Sequence, residues 1–212
     1  MKILLVRHGM TKGNRQHRYV GSTDEGLISE GKEELLQRAK ALREERFLWE
    51  DQEASRMKEP EHIFVSPMLR CRQSGEILFP KSRQIEIPEL RECNFGEFEY
   101  LNYQDLDGNI DFQRFIDSGG KAGFPGGEDL ASFQKRCIEG FKKVMEQHQK
   151  EGKEELLVLV VHGGTIMSLL DRYSSPHQSY YDWQAKNGEG FAAETEGNIK
   201  QDGFVFRNIR RV

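Results

Sequence analysis

The stretch KILLVRHGMTKGN, residues 2–14, places an arginine and a histidine directly after a continuous apolar run. Such a run, without polar alternation, is typical of a strand that is buried on both faces of a sheet. Arg7 and His8 stand at the carboxyl end of this strand, and Gly9 follows them. Because glycine has no side chain, a ligand can approach the backbone there. The stretch therefore predicts a buried strand that delivers a cation and an imidazole to its own end.

The same arrangement recurs in ELLVLVVHGG, residues 155–164, where a second apolar run leads into His162 and Gly163. We expect a strand over 155–161 and a helix over 162–173, whose N-terminal N–H groups can bind an anion. A single histidine at a strand end is usually structural. Two such strand ends in one sheet, one of them beside an arginine, indicate a shared functional site.

Strands and helices alternate along the rest of the chain. The patterns predict strands over 62–65 and 84–87 and helices over 29–48, 66–78 and 128–150. Ser29 and Ser66 are the predicted N-caps. This alternation predicts an α/β fold of three layers, α/β/α, with a mostly parallel central sheet. An antiparallel hairpin that turns near 196–198 is expected at the C-terminal edge.

Residues 94–127 follow neither pattern and are rich in aromatic side chains. We expect a small lid-like lobe with one or two short helices. Its aromatic residues are predicted to form a small core of their own, in preference to a platform for a ligand. Because no repeat or low-complexity linker divides the chain, residues 1–212 are predicted to form a single domain.

Composition limits the classes of function. With 31 Lys and Arg against 35 Asp and Glu, the net charge is −4, which argues against bulk binding to nucleic acid or to an anionic membrane. The N-terminal apolar run is too short for a signal peptide, and no stretch approaches a membrane span. Three widely spaced cysteines show no metal-ligand spacing, so a reducing cytoplasm is the expected location.

Charge is nevertheless distributed unevenly. Residues 1–23 carry five basic residues and no acidic one, which suggests a local anion site. Farther along the chain, Cys71 lies between Arg70 and Arg72. This cysteine is either a small core residue, which is the interpretation we favour, or a thiol with a lowered pKa.

Further ionisable residues are expected at the same sheet edge. Arg70 lies one turn into the helix after strand 62–65, and strand 84–87 leads into Glu89 and Glu92. In such sheets the ligand crevice lies at the carboxyl ends of the strands. Two arginines, two histidines and a carboxylic acid suit phosphoryl transfer without a metal. The guanidiniums would bind phosphate, one imidazole would attack phosphorus, the other would stabilise charge, and the acid would protonate the leaving oxygen.

The motif RHGMTKGN, residues 7–14, fits the RHGxTxxN signature of the histidine phosphatase superfamily, also called phosphoglycerate-mutase-like proteins. The resemblance covers nearly the whole chain. It includes, in order, YVGSTDEGLISEGKEE (19–34), SPMLRCRQS (66–74), LRECNFGEFE (90–99), GGEDLASFQKR (126–136) and VVHGGTI (160–166). The order and spacing of these blocks make the match specific, and it implies a phosphoglycerate-mutase-like fold.

The resemblance also implies roles for residues at positions that match the family's motifs. His8 matches the nucleophile that becomes phosphohistidine, and Glu92 matches the proton donor. No metal and no cofactor are expected. Phosphate or substrate contacts are implied for Arg7, Asn14, Gly21, Ser22, Thr23, Arg70, His162 and the backbone N–H of Gly163.

Several residues keep an alternative interpretation. Thr11 either contacts phosphate or only caps its loop, and Arg15 is either a phosphate contact or a solvated rim charge. Glu89 and Glu97 are alternatives to Glu92 as the acid. The histidines without a strand-end position are predicted to lie at the surface: His17, His62, His148 and His177.

Hydrolysis is the favoured reaction. Family members that act as phosphoglycerate mutases usually carry a longer basic insertion after the FGE block, whereas residues 99–127 hold four Asp against Arg114 and Lys121. The segments FPGGE (124–128) and YYDWQAKNGEGF (180–191) resemble the alpha-ribazole phosphatase branch, which acts on a nucleotide-like phosphate. The alternatives are a phosphoglycerate mutase and, in another class, a phospho-ligand-binding protein without turnover. The expected partner is a small phosphate ester, and the sequence leaves monomer and homodimer open.

Overall fold

The computed structural model describes residues 1–44, 59–151, 156–201 and 203–212. The strands are β1 (Lys2–Arg7), β2 (His62–Val65), β3 (Arg83–Glu86), β4 (Leu156–Val161), β5 (Gly190–Glu196) and β6 (Val205–Arg211). The helices are α1 (Lys12–Arg15), α2 (Ser29–Glu44), α3 (Leu69–Leu78), α4 (Ile110–Asp117), α5 (Leu130–Glu151) and α6 (Gly163–Tyr173). Short 3-10 helices span Pro88–Leu90, Gly96–Phe98 and Tyr180–Trp183.

The strands form a six-stranded sheet in the order β3-β2-β4-β1-β5-β6. The first four strands of the chain run parallel, whereas β5 and β6 are antiparallel and form the C-terminal edge. Arg7 lies opposite Val161 in the β1–β4 ladder, and the N–H of His8 donates to the Val161 carbonyl at 2.9 Å. The register places the carboxyl ends of the two apolar strands side by side, and the predicted fold class is confirmed.

The sheet separates two hydrophobic cores because successive side chains of a strand point to opposite faces. Ile3 and Leu5 pack in the core formed with α5 and α6, whereas Leu4 and Val6 pack in the core formed with α2 and α3. Each of these four side chains is at most 2% exposed, so β1 is buried on both faces. The unbroken apolar run of this strand is the sequence signal for that position.

Residues 94–127 form the predicted lobe, with a 3-10 helix and α4 inside it. Ring centroids in its aromatic cluster lie 4.7–6.3 Å apart, among Phe95, Phe98, Phe115 and Phe124. These are ordinary distances for packed aromatic pairs. The lobe therefore has the small aromatic core that the sequence predicts.

Helix α3 begins later than predicted, and Ser66 is not its N-cap. The helix starts at Leu69 after Met68, and the Leu69 N–H donates to a carboxylate oxygen of Asp24 at 2.6 Å. The Ser66 hydroxyl lies 2.7 Å from Nε2 of His162. The prediction was wrong because the Ser66 hydroxyl contacts the buried imidazole of His162. His162 follows a strand that is distant in sequence, so no local sequence pattern indicates this contact.

Two histidines were wrongly predicted to lie at the surface. His62 opens β2 and His148 lies in the last turns of α5, and each is only 4% exposed. Nε2 of His62 stands 3.3 Å from Nδ1 of His148, so the pair bonds across the interface of strand and helix. His17 and His177 are exposed, as predicted.

The bounds of the C-terminal hairpin and of helix α2 agree only in part with the predicted bounds. The C-terminal hairpin is antiparallel as predicted, but its connection from Glu196 to Val205 is longer than the predicted turn at 196–198. Helix α2 matches the start of the predicted helix 29–48, and residues 45–48 lie outside the described residues. In the described parts of the chain, no helix has the length and apolar character needed to cross a membrane.

Candidate active site

His8 and His162 meet at the sheet edge where β1 and β4 end. Their ring centroids are 5.2 Å apart with an interplanar angle of 68°, and the side chains are 3% and 0% exposed. Burial lowers the pKa of both imidazoles well below the ordinary value of 6.5, and the charges of Arg70 and Arg7 lower it further. Both rings are therefore neutral at pH 7.

The orientation of His8 is fixed by its own backbone turn. Nδ1 lies 2.7 Å from the Gly9 carbonyl, which can only accept, so Nδ1 carries the proton and Nε2 has a free lone pair. The Gly9 N–H donates to the Ser74 hydroxyl at 2.9 Å, and that hydroxyl donates to the Arg70 carbonyl at 2.6 Å. The turn is thus tied to α3, and Nε2 of His8 is held as a nucleophilic nitrogen.

Arg70 is fully buried and reaches the site from the first turn of α3. Its guanidinium donates to the carbonyls of Val20, Gly21 and Thr23 at 2.8–3.2 Å. Its Nε has no hydrogen-bond partner among the described residues. Neutral carbonyls satisfy part of a buried cation's donors without balancing its charge, so an anion is the ligand that this environment favours.

Arg7 lies beside the N-terminus of α6. Its Nη1 donates to the Ala185 carbonyl at 2.8 Å, while its buried Nε lacks a partner in the described structure. A Cβ at Gly163 would stand 3.5 Å from that Nε, so the start of α6 and the guanidinium are close neighbours. Burial lowers the pKa of Arg7, and the Glu92 carboxylate opposes this effect. A helix N-terminus beside a guanidinium is a strong anion-binding combination.

Glu92 is the carboxyl group of this site. Its Oε1 accepts the N–H of Cys93 at 3.0 Å, and the side chain lines a cavity together with Arg7 and Gly163. Burial raises the pKa of Glu92 above the ordinary 4.5, although the Cys93 N–H and the charges of Arg70 and Arg7 act in the opposite direction. The carboxyl therefore keeps its proton to a higher pH than an exposed glutamate does.

The two alternative acids lie elsewhere. Glu89 pairs with Lys143 on α5, and this contact lowers the pKa of Glu89. Glu97 is exposed on the lobe. Neither lines the cavity that Glu92 shares with Arg7. Position and pKa direction both favour Glu92 as the acid.

The RHG turn is closed by Thr11 and Asn14. Thr11 is the N-cap of α1: its hydroxyl accepts the Asn14 N–H at 3.2 Å, and Asn14 Oδ1 accepts the Thr11 N–H at 3.4 Å. Asn187 donates to the same Asn14 oxygen at 3.0 Å and to the His8 carbonyl at 3.1 Å. Thr11 thus serves its loop as a cap. Arg15 is exposed and pairs with Glu30, as a rim charge does.

The loop of residues 21–23 holds Arg70. Its carbonyls accept from the guanidinium, while the N–H groups of Gly21 and Thr23 both donate to Oε1 of Glu99 at 2.9 Å. A Cβ at Gly21 would lie 1.9 Å from the Cys93 carbonyl, so only glycine fits there. The side chain of Ser22 is exposed. The backbone of this loop belongs to the site, and substrate contacts from it stay a prediction.

Cys71 is a small core residue. It is completely buried, and burial raises the pKa of its thiol to about 12, so the flanking arginines do not produce a thiolate. Its Sγ lies 3.5 Å from Nε2 of His162. Within the described residues, no group of three or more His, Cys, Asp or Glu side chains is placed to hold a metal ion.

An aromatic cavity of about 380 Å³ opens beside Arg7 and Glu92. Among the described residues, these two are the charged side chains that line it. Its walls are largely aromatic and come from the loop after α1, from the lobe, from α5 and from the 3-10 helix near 180: Tyr19, Phe95, Phe115, Phe124, Phe133, Tyr180 and Tyr181. A Cβ at Gly120 would stand only 2.6 Å from the Tyr181 hydroxyl, so the lobe and this 3-10 helix meet over the cavity.

A second, more open cavity of about 840 Å³ shares Arg7 and is lined by Asn14. Among the described residues, further positive charge comes from Arg15, Arg18, Arg38 and Lys186, and negative charge comes from Glu34 and Glu189. The two cavities therefore differ in character. One is aromatic with a single cation, and the other is polar and carries charges of both signs.

Several residues of the site were missed from sequence. Asn187, Glu99 and Tyr180 contact or line it, yet Asn187 lies 173 residues from Asn14 and Glu99 lies 78 residues from Gly21. No periodicity or spacing connects such positions. A polar or aromatic residue in a loop is their only local signal, and many loop residues share it.

Comparisons with known proteins agree with this geometry. Residues 3–198 match the histidine phosphatase superfamily (branch 1). Over 177 residues the chain is 27% identical to phosphoglycerate mutase-like protein 4 of Arabidopsis thaliana, covering 81% of this chain and 70% of that protein. It is 25% identical over 182 residues to sedoheptulose 1,7-bisphosphatase of Saccharomyces cerevisiae, covering 78% of this chain and 64% of that protein.

A solved structure shows the same fold. The alpha-ribazole phosphatase from Shigella flexneri superposes with a TM-score of 0.76 at 21% sequence identity, covering 98% of this chain and 95% of that one. At this identity the likeness concerns the fold. The sequence-based prediction of a histidine phosphatase enzyme is confirmed at the level of the family. Because the match extends from residue 3 to residue 198, the chain belongs to the histidine phosphatase superfamily, branch 1.

Proposed function

We propose that this protein hydrolyses a small phosphate monoester through a phosphohistidine on His8. One observation carries the proposal: two neutral histidines, the buried Arg70 and the half-buried Arg7 meet at one sheet edge, beside a carboxyl group with a raised pKa. Each group suits one part of phosphoryl transfer, because that reaction depends mainly on positioning and charge stabilisation.

The first half of the reaction begins with a neutral His8 and a protonated Glu92. The phosphoryl group lies against Arg7, Arg70 and the N–H of Gly163, and Asn14 borders it. The Nε2 lone pair of His8 attacks phosphorus as the bond to the leaving oxygen breaks. Glu92 gives its proton to that oxygen, so an alcohol departs and a carboxylate remains. His162 donates a hydrogen bond to the oxygens that gain charge.

The second half returns the enzyme to its starting state. Water occupies the position of the departed alcohol, and the Glu92 carboxylate takes one of its protons as the oxygen attacks phosphorus. The bond from phosphorus to Nε2 of His8 breaks, and the electron pair returns to the ring. Phosphate leaves, and Glu92 is protonated again.

The aromatic cavity indicates the substrate class. Among the described residues that line it, a leaving group meets aromatic rings, Glu92 and a single cation, Arg7, so an uncharged aromatic or apolar group suits it better than a second phosphate or a carboxylate. An alpha-ribazole 5′-phosphate has such a group, and the solved alpha-ribazole phosphatase shares this fold. We propose esters of this kind as substrates.

A panel of phosphate esters tests the function. Release of inorganic phosphate is measured for alpha-ribazole phosphate, p-nitrophenyl phosphate, sugar phosphates and phosphoglycerates. We expect the highest kcat/KM for esters with an aromatic leaving group. No phosphate release from any ester by correctly folded protein would favour the alternative of a phospho-ligand-binding protein, in which no bond is broken.

One observation favours the mutase alternative. The open cavity beside Asn14 carries Arg15, Arg38 and Lys186, which could receive the second anion of a bisphosphate. The carboxylates of Glu34 and Glu189 in the same cavity oppose this. Isomerisation of 3-phosphoglycerate, measured with the bisphosphate primer present, decides the matter: turnover faster than phosphate release would make the protein a mutase.

A further inference from the structure

Ser66 occupies a special position behind the catalytic pocket. It is the residue directly after β2, it is 0% exposed, and its N–H donates to the Val160 carbonyl at 3.2 Å. Its hydroxyl oxygen lies 2.7 Å from Nε2 of His162. The short distance and complete burial make this a strong contact between two side chains that are 96 residues apart.

The direction of this hydrogen bond follows from the other neighbours of the hydroxyl. The Met68 N–H donates to the Ser66 oxygen at 3.4 Å. The Cys71 sulfur, which also contacts Ser66, is only a weak hydrogen-bond acceptor. With a donor on one side and a weak acceptor on the other, the hydroxyl proton of Ser66 is directed at Nε2 of His162, which is the stronger acceptor.

We propose that Ser66 is a positioning residue that fixes the tautomer of His162. The Ser66 hydroxyl donates to Nε2, so the ring proton lies on Nδ1, whose contact with the Cys71 sulfur at 3.8 Å is long and leaves this N–H available to a ligand. A neutral His162 then presents an N–H donor, where the opposite tautomer would present a lone pair that repels phosphoryl oxygens. The catalytic benefit rests on the proposed function, whereas the tautomer itself does not.

The tautomer proposed for His162 explains how His8 and His162 can have different roles. His8 is fixed with its proton on Nδ1 by the Gly9 carbonyl, which leaves Nε2 to attack. His162, held by Ser66 at Nε2, carries its proton on the same ring atom yet serves as a donor. The two neutral rings, 5.2 Å apart, thus take opposite roles because their second partners differ.

The tautomer of His162 can be measured in protein that is not carrying out a reaction. Long-range proton–nitrogen NMR of ¹⁵N-histidine-labelled, ligand-free protein distinguishes the two neutral tautomers, and His162→Gln identifies the resonances of His162. We expect the Nδ1–H form in the wild type and a mixture of tautomers in Ser66→Ala. The Nε2–H form in the wild type would overturn the proposal, whether or not Ser66→Ala folds.

Kinetics supply the second measurement. We expect Ser66→Ala to lower kcat about tenfold, the order of effect for one lost hydrogen bond to a catalytic group, while KM changes little. Ser66→Thr keeps the hydroxyl and restores both the tautomer and kcat. The matched control is Ser168→Ala, which removes another buried hydroxyl, one that donates to the Gly164 carbonyl at 2.8 Å, and leaves the tautomer unchanged.

The two failures are distinguishable. If the wild type releases no phosphate from any ester but shows the Nδ1–H form that shifts in Ser66→Ala, the proposed function fails and the positioning role stands. If Ser66→Ala retains both the wild-type tautomer and the wild-type kcat, the positioning role fails and the function stands.

Discussion

The floor and the roof of the site are built by different means. The floor consists of Arg7, His8, Arg70 and His162, which follow strand ends of one sheet and are largely buried. The roof consists of aromatic residues from the lobe and from the 3-10 helix Tyr180–Trp183, which are loop elements. The floor carries charge and nucleophiles, whereas the roof carries apolar area.

This difference separates chemistry from selection. Groups fixed by a parallel sheet and its helices are held firmly enough for in-line attack on phosphorus. Loops tolerate substitution more readily, so changes there alter which alcohol fits. Changes in the floor are therefore expected to act on kcat for every ester, and changes in the roof on kcat/KM for some esters.

The largest effect is expected for His8→Ala. Loss of the proposed nucleophile should lower kcat by about 10⁴-fold or more for all esters, because the covalent step then has no attacking Nε2 at the end of β1. The measurement is phosphate release at saturating substrate, with a thermal melt to verify folding. His177→Ala is the control, since His177 is exposed, lines neither cavity of the site and should keep full activity. Unchanged turnover in His8→Ala would exclude a phosphohistidine mechanism.

Glu92→Gln should show an effect that depends on the leaving group. For an alkyl phosphate, whose alkoxide needs a proton, we expect kcat to fall about 10²- to 10⁴-fold. For p-nitrophenyl phosphate the fall should be much smaller, because nitrophenolate leaves without protonation. Glu89→Gln is the matched control, since Glu89 pairs with Lys143 away from the cavity. Equal losses for both esters would remove Glu92 from the role of acid.

The pH profile sharpens the same assignment. Lowered pKa values keep His8 neutral well below pH 6.5, so the acid limb of kcat/KM should lie far below that value. Glu92 must be protonated for the first step, and its raised pKa places the loss of activity above pH 4.5, with activity falling as pH rises. At each pH, kcat/KM is calculated with the concentration of the alkyl phosphate dianion as the substrate concentration. A basic limb that persists unchanged in Glu92→Gln would contradict this account.

The smallest effect is expected in the roof. Tyr181→Ala should lower kcat/KM about three- to tenfold for aromatic esters and hardly change it for small alkyl phosphates, because Tyr181 lines only the aromatic cavity. Tyr103→Ala is the control: Tyr103 is an exposed tyrosine of the lobe, at least as exposed as Tyr181, and it does not line that cavity. Equal losses for both ester classes would mean that the roof does not select the alcohol.

The floor could be predicted from the sequence because strand ends carry a strong local signal. An apolar run followed by Arg7-His8, and another followed by His162, meet at one edge whenever parallel strands pair in register. Arg70 was found in the same way, one turn into the helix after β2. The fold follows from the same alternation of strands and helices.

The supporting contacts could not be predicted, because they join distant residues. The local sequence around Ser66 is typical of a helix N-cap. Only the structure shows that the Ser66 hydroxyl contacts His162. His62 opens an apolar run and His148 lies between two glutamines, and no sequence pattern shows that they are buried together. The roof was predicted in part: its rings pack on one another as expected, but they also line a cavity with Tyr180 and Tyr181, which the pattern did not reveal.

The most direct test of the central claim is to identify the phosphorylated atom. Wild-type protein is mixed with an aromatic phosphate ester, quenched in alkali to preserve phosphohistidine, digested and analysed by mass spectrometry. We expect one phosphoryl group on the peptide that contains His8, and none in His8→Ala. A phosphorylated residue other than His8, or turnover with no phosphoenzyme and no burst of released alcohol, would contradict the account.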